Sequence, residues 1–297
     1  MTVRPSYSRF WFHNIELLKV IKLRLALCFK MVIVVVAMSG GMAQANELID
    51  LGEMPFDKYE DRPLPTPDFL FGYLGGVVIN SKRIVGDKGD FTLPFPVFGI
   101  NYKGLAYWNV TKGGAWLWKS RDRTLKFGPL LKLRLAVNTD NESQLAGLTK
   151  RKGSLEAGAG VSLFSVVKTT LAVYQDVSGR TDGASAELKV SKSIKLNDHI
   201  STIPFASLEW LSADVVDYYY GVNSLESTTS GIGIYTGRST TVARGGVTLA
   251  DHINQHWAVL GGLVVQQYGR GITDSPIVTK SNTTAFYVGA TYLFLSF

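Results

Sequence analysis

After residue 68 the chain repeats one pattern. Apolar and polar positions alternate with a period of two over segments of roughly 9–14 residues, and Gly, Asn, Asp, Ser and Thr separate the segments. In 184–196, Ala184, Ala186, Leu188, Val190, Ile194 and Leu196 share one face. Ser185, Glu187, Lys189, Ser191, Ser193 and Lys195 share the other, with Lys192 out of pattern. In 125–137, Leu125, Phe127, Pro129, Leu131, Leu133, Leu135 and Val137 oppose Lys126, Gly128, Leu130, Lys132, Arg134 and Ala136. In 154–165, Leu155, Ala157, Ala159, Val161 and Leu163 oppose Glu156, Gly158, Gly160 and Ser162. The pattern predicts twelve strands: 69–79, 91–101, 104–111, 115–120, 124–138, 152–165, 167–176, 184–196, 200–211, 240–250, 257–268 and 285–297. In this region nothing shows helix-length periodicity, and no run of 18 apolar residues predicts a transmembrane helix.

Long strands with a greasy face need a second layer or closure in lipid. The last stretch, 284–297 (TAFYVGATYLFLSF), is apolar on both faces and ends on an aromatic residue. It predicts the closing strand of a transmembrane antiparallel β-barrel, with Tyr287, Leu293, Leu295 and Phe297 facing lipid. Trp210, Trp257, Tyr268 and Phe297 read as aromatic strand ends at the membrane boundary. Connections after even strands are short: 102–103, 120–123, 166, 196–199 and 251–256. Those after odd strands are longer (80–90, 139–151, 177–183, 212–239, 269–284), apart from a tight hairpin at 112–114. Outer-membrane barrels have short periplasmic turns and long outer loops, so this alternation predicts both termini in the periplasm.

The N-terminus fits export. Arg4, Arg9, Lys19, Lys22, Arg24 and Lys30 precede the apolar run MVIVVVAM, and Ala43-Gln44-Ala45 is an A-x-A cleavage site. Residues 1–45 therefore read as a cleaved signal peptide, with Met31 as an alternative start. The only cysteine, Cys28, lies within it. Leu27 is too bulky for a lipoprotein box, and the apolar core follows the cysteine, so no lipidation is expected. The whole chain carries 31 basic and 24 acidic residues, net +7. Removing 1–45 leaves 25 against 23, which gives no argument for binding nucleic acid. Residues 46–68 form an acidic, proline-bearing lead: Glu47, Asp50, Glu53, Asp57, Glu60, Asp61 and Asp68 face only Lys58 and Arg62. They read as a solvated periplasmic segment or a docking segment. The barrel then occupies 69–297.

With the apolar faces outward, Lys126, Lys132, Arg134, Glu156, Glu187, Lys189 and Glu209 line the lumen. Their mixed signs predict internal ion pairs filling a narrow barrel, unlike a wide channel of one sign. Catalytic and cofactor signatures are missing: no G-x-S-x-G, H-E-x-x-H, Walker A or C-x-x-C occurs, and Gly231-Ile232-Gly233 is a bare G-x-G in a loop. No cofactor or metal is expected. A barrel phospholipase would need a Ser–His pair on the outer rim, whereas His199, His252 and His256 all fall at short turns on the opposite side. Tyr218, Tyr219 and Tyr220, in the connection 212–239, read as a rim girdle, an infolded plug or a ligand-contacting surface.

Three short segments carry a family resemblance. Asp217-Tyr218-Tyr219-Tyr220-Gly221-Val222 is similar to a D-x-Y-Y/F-G-V segment of the MipA/OmpV outer-membrane proteins. Thr273-Asp274-Ser275-Pro276-Ile277-Val278 resembles their D-S-P-I-V segment, and Leu93-Pro94-Phe95-Pro96 their proline-bearing second strand. The likeness runs over most of 69–297. It departs at 80–90 (NSKRIVGDKGD), which is more basic than the acidic loop common in the family. The resemblance implies an outer-membrane protein of a Gram-negative bacterium, in contact with membrane lipid. It also implies insertion by the barrel-assembly machinery, which would read Phe297. It implies a non-enzymatic scaffold joining a lytic transglycosylase to a peptidoglycan synthase. A narrow channel or an adhesin, linked to osmotic and antibiotic responses, is the alternative it leaves open.

Overall fold

The computed structural model describes residues 70–86, 89–136 and 145–296. The predicted signal peptide, the acidic lead 46–68, Phe297 and the side chain of Leu295 lie outside the described residues. Twelve antiparallel strands form one closed sheet. They are β1 (Leu70–Lys82), β2 (Asp90–Tyr102), β3 (Ala106–Asn109), β4 (Lys112–Ala115 continuing as Trp118–Lys119), β5 (Leu125–Arg134) and β6 (Ser154–Phe164). The second half comprises β7 (Lys168–Asp176), β8 (Ala184–Ser191 continuing as Ile194–Lys195), β9 (Ile200–Leu211), β10 (Thr240–His252), β11 (Trp257–Tyr268) and β12 (Asn282–Ser296). Neighbours in sequence pair around the ring. β12 returns to β1 with Leu70 opposite Ser296 and Ser81 opposite Ala285, which closes the barrel.

The connections sort by end. At the end where Leu70 and Ser296 meet, only 103–105, 120–124, 165–167, 196–199 and 253–256 join strands. At the other end lie 83–89, 110–111, 135–153, 177–183, 212–239 and 269–281. These include three helices: α1 (Ala213–Tyr220), α2 (Ser224–Ser230) and α3 (Arg270–Thr273).

The period-two pattern sets the two faces of the wall. Leu131, Leu171, Val173, Leu188, Leu208, Leu249 and Val259 point outward and are exposed. Lys132, Glu156, Glu187 and Glu209 point inward and are buried. An apolar exterior around a closed sheet is the arrangement lipid requires, since closure lets the strands pair their backbone groups with one another.

Three sequence expectations need correction. In β12 the faces are reversed: Tyr287 is 4% and Leu293 3% exposed, against 58% for both Phe286 and Val288. Both faces of this strand are apolar, so alternation alone could not orient it. The register decides. Tyr287 stands opposite Gly262 of β11, and a Cβ on that glycine would collide with the tyrosine ring. The glycine leaves room for the ring to lie inward across the neighbouring strand, where its hydroxyl meets Thr248 Oγ1 at 2.5 Å. The tight hairpin turns at Val110-Thr111, with Val110 at φ 50°, and not at 112–114. Gly113 is inside β4 opposite Trp108, whose ring occupies the space a side chain would need. Tyr268 also departs from the membrane-boundary set: it is buried inward, while Trp210 and Trp257 are exposed.

Candidate functional site

Beside an apolar cluster on one wall, two further assemblies occupy the interior, and the loops at 217–222 and 273–278 belong to the second. The first is an ion-pair network across the lumen. Arg134 (β5) reaches Glu156 (β6) through Nε at 2.7 Å and Glu209 (β9) through Nη2 at 2.9 Å. Lys132 (β5) pairs with Glu209 and lies 3.5 Å from Glu156. Arg244 (β10) holds the other oxygen of Glu209 at 2.7 Å and donates from Nε to Gln266 (β11) at 2.6 Å. Ser185 (β8) donates to Glu156 at 2.8 Å. Lys112 (β4) holds Glu187 (β8) at 2.8 Å. The β5–β9 and β4–β8 pairs join strands four apart in a ring of twelve, so they are chords through the lumen.

Each member sits where the strand period puts it. Lys132 and Arg134 are two residues apart on the inward face of β5, and Glu156 stands directly opposite Lys132 in β6. Glu209 and Glu187 are opposite each other in β9 and β8. Two carboxylates side by side repel, and the cations reaching in from β4, β5 and β10 offset that repulsion. Lys189 is half-buried with its ammonium 5.1 Å from the Phe205 ring centroid, where the charged part of the lumen meets the apolar part. Lys126 is buried on the inward face of β5, nearer the short-turn end, opposite Ser162.

The second assembly is a cap in the mouth at the long-loop end. Ile84, Val85, Leu145, Leu148, Val215, Val216, Tyr219, Tyr220, Val222, Ile272 and Ile277 form one buried cluster with the strand residues Leu211, Val242 and Tyr268. Four of the six connections at that end contribute. The 83–89 and 269–281 connections are knitted by a Val85–Val278 bridge and by Thr279 N to Ile84 O at 2.6 Å.

Two of the three family-like segments, 217–222 and 273–278, meet here. Tyr219 and Tyr220 of α1 are buried, and the Tyr219 hydroxyl lies 3.2 Å from inward-facing Ser154. Tyr218 OH accepts from Lys152 N at 2.9 Å. Asp217 Oδ1 accepts from Gly237 N at 2.6 Å. Ser275 donates its hydroxyl to Tyr220 O at 2.6 Å, tying the D-S-P-I-V segment to the tyrosine helix. Asp274 pairs with Arg238 at the exposed rim at 2.6 Å, and Pro276 is exposed.

Sequence reasoning missed Arg151 and Glu226. Glu226 closes a capping box on α2: Asn223 Oδ1 accepts from Glu226 N at 2.9 Å, and Asn223 N donates to Glu226 Oε2 at 3.1 Å. The N-x-x-E spacing of 223–226 is the signal that could have found it. Arg151 binds the same carboxylate with both Nη atoms, at 2.8 and 3.0 Å, and reaches Gly221 O at 2.8 Å. Burial alone would raise the Glu226 carboxyl. The hydrogen bonds from Arg151, Thr149 N and Asn223 N outweigh it and bring the pKa down to about 2. Lys112 and Arg244 were missed as well. Lys112 sits in the misplaced hairpin, and Arg244 precedes Gly245-Gly246, which hides the alternation of β10.

A closed twelve-stranded sheet with an apolar exterior, a cross-linked lumen and a capped mouth defines a filled transmembrane β-barrel. A family model described as "MltA-interacting protein MipA" matches residues 74–294, and the chain belongs to that family. The MltA-interacting protein of Escherichia coli (strain K12) is 27% identical over 243 residues, covering 74% of this chain and 97% of that protein. Outer membrane protein OmpV of Vibrio cholerae is 26% identical over 158 residues, covering 53% of this chain and 60% of that protein. Among solved structures, the COG4313 outer membrane channel from Pseudomonas putida F1 matches at TM-score 0.42 and 11% identity. It covers 78% of this chain and 97% of that one. The protein is thus an outer-membrane barrel of the MipA/OmpV type, as the resemblance at 93–96, 217–222 and 273–278 implies.

Proposed function

We propose that this barrel is a non-catalytic scaffold that holds a membrane-bound lytic transglycosylase, and through it a peptidoglycan synthase, beneath the outer membrane. The observation that carries the reading is the match to a relative named MltA-interacting protein, which covers 97% of that protein and 74% of this chain. The filled lumen supports it. With chords across the middle and a cap in one mouth, the surfaces left for function are the two ends. In this reading the short-turn end, which gathers Leu70 and Ser296, faces the periplasm.

Affinity capture from detergent-solubilised envelopes tests the scaffold directly. A lytic transglycosylase is expected to co-purify with the wild-type chain in amounts that survive washing. Recovery of the barrel without any murein hydrolase or synthase overturns the reading. Planar-bilayer recording tests the channel alternative. The cross-linked lumen predicts silent bilayers, and a stable conductance that scales with salt would assign a channel instead.

A further inference from the structure

The short-turn mouth holds a cavity of about 880 Å³. Three turns line it, at 164–168, 191–201 and 252–257. They bring together Lys168, Lys192, Lys195, His199, His252 and His256, against the single carboxylate of Asp198. Asp198 is engaged by Lys195 at 2.8 Å. The imidazoles are held at the rim. His199 Nδ1 lies 3.3 Å from His252 O, His252 Nε2 is 3.3 Å from Ser201 Oγ, and the His256 ring stacks on Tyr292 at 5.5 Å. A concave surface with cations on its walls and one carboxylate at its edge favours an anionic occupant.

A chain of that character is attached at the same rim. β1 begins at Leu70, beside Ser296, and the 23 residues of 46–68 precede it with seven carboxylates against two cations. Pro55, Pro63, Pro65 and Pro67 favour an extended backbone, which lowers the entropy lost on laying the segment down. At roughly 3.4 Å per extended residue the segment reaches on the order of 80 Å, enough to span the mouth. Tethering places its carboxylates at an effective concentration of about millimolar or above, so weak individual contacts suffice. We infer that the cationic mouth is a binding site for an acidic extended peptide, and that residues 46–68 of this same chain are its occupant. The inference does not depend on the scaffold reading.

The test uses the full chain with Cys28→Ser, so that introduced thiols are the only ones. Glu60→Cys is paired either with Gln255→Cys, in the cavity wall, or with Arg121→Cys, on a turn at the same end outside the cavity. Disulfide formation at 255 is expected to be about tenfold faster than at 121, and to lose that advantage near 1 M salt, where screening falls to ~3 Å. Converting the carboxylates of 46–68 to amides is expected to abolish the preference and to raise thiol-reagent labelling of a lone Gln255→Cys several-fold. Lys192→Glu with Lys195→Glu should do the same. Equal rates at 255 and 121 would overturn the proposal. So would a preference indifferent to charge, or protection of Gln255→Cys that follows anionic lipid and ignores the carboxylates.

Discussion

The two sides of the lumen fill space by different means. On the side of β1, β2, β11 and β12, aromatic and aliphatic residues meet: Tyr73, Ile79, Phe95, Leu260, Tyr287 and Leu293, with Phe205 reaching in from β9. Across from them, β4 to β10 present Lys112, Lys132, Arg134, Glu156, Glu187, Glu209 and Arg244. The apolar side is held by shape, as ordinary cores are. The charged side is held by mutual compensation, where each carboxylate needs its cations. A shape-packed region responds to lost volume in proportion to the cavity left. A compensated network responds sharply to the loss of one member, because the opposite charges remain buried, and mildly to concerted replacement.

Glu209 is the point where that contrast is greatest. It faces Lys132, Arg134 and Arg244, so Glu209→Ala leaves three buried cations in a network where only Glu156 still meets Lys132 and Arg134. We expect a loss of about 3–5 kcal/mol, read as a lower urea midpoint for unfolding from lipid vesicles. Replacing Glu209, Lys132, Arg134 and Arg244 together with apolar residues of like volume should restore much of it. A quadruple variant as weak as Glu209→Ala would refute the compensation account.

On the apolar side, Tyr287→Ala opens a cavity beside Gly262 and is expected to cost roughly 3 kcal/mol. Its outward neighbour makes a sharper control. Phe286→Ala removes a ring that is 58% exposed on the outer wall, acyl chains can close over the gap, and the cost should stay below about 1.5 kcal/mol. Equal costs at 286 and 287 would contradict the orientation of β12.

The smallest expected effect lies in the cap and is pH-dependent. Glu226 has a folded pKa of about 2, below the ordinary value of about 4.3. Its contribution is therefore fully present above the ordinary value and is lost as pH falls towards 2. From pH 5 down to pH 2–3, the protection of α2 amides relative to their intrinsic exchange rates should fall while that of the wall strands is kept. Arg151→Met should raise exchange in α2 already at pH 7. Unchanged protection of α2 in the wild type at both pH values would show that the Arg151–Glu226 contact does not hold the cap.

Much of the barrel was legible in the residues. Period-two alternation fixed the strands and, wherever one face carried charge, which face turned inward. Lys132, Arg134, Glu156, Glu187 and Glu209 were identifiable for that reason, because a charge opposite an apolar neighbour leaves one orientation in lipid. Alternating connection lengths gave the two ends. The illegible parts share one property: locally the sequence carries no asymmetry. In β12 both faces are apolar, and only the pairing of Tyr287 with Gly262, residues 25 positions apart in sequence, chose the inward one. Arg244 is masked by adjacent glycines, and the 110–111 turn by glycines that serve the Trp108 ring.

By itself, the sequence determined a twelve-stranded barrel with its charges inside, because period and polarity are properties of neighbouring residues. Only the tertiary structure decided which charges meet, that 217–222 and 273–278 join in one cap, and that cationic turns surround the open mouth. Those facts depend on which strands the closed ring brings face to face. A chord between β5 and β9 has no local signature in either strand.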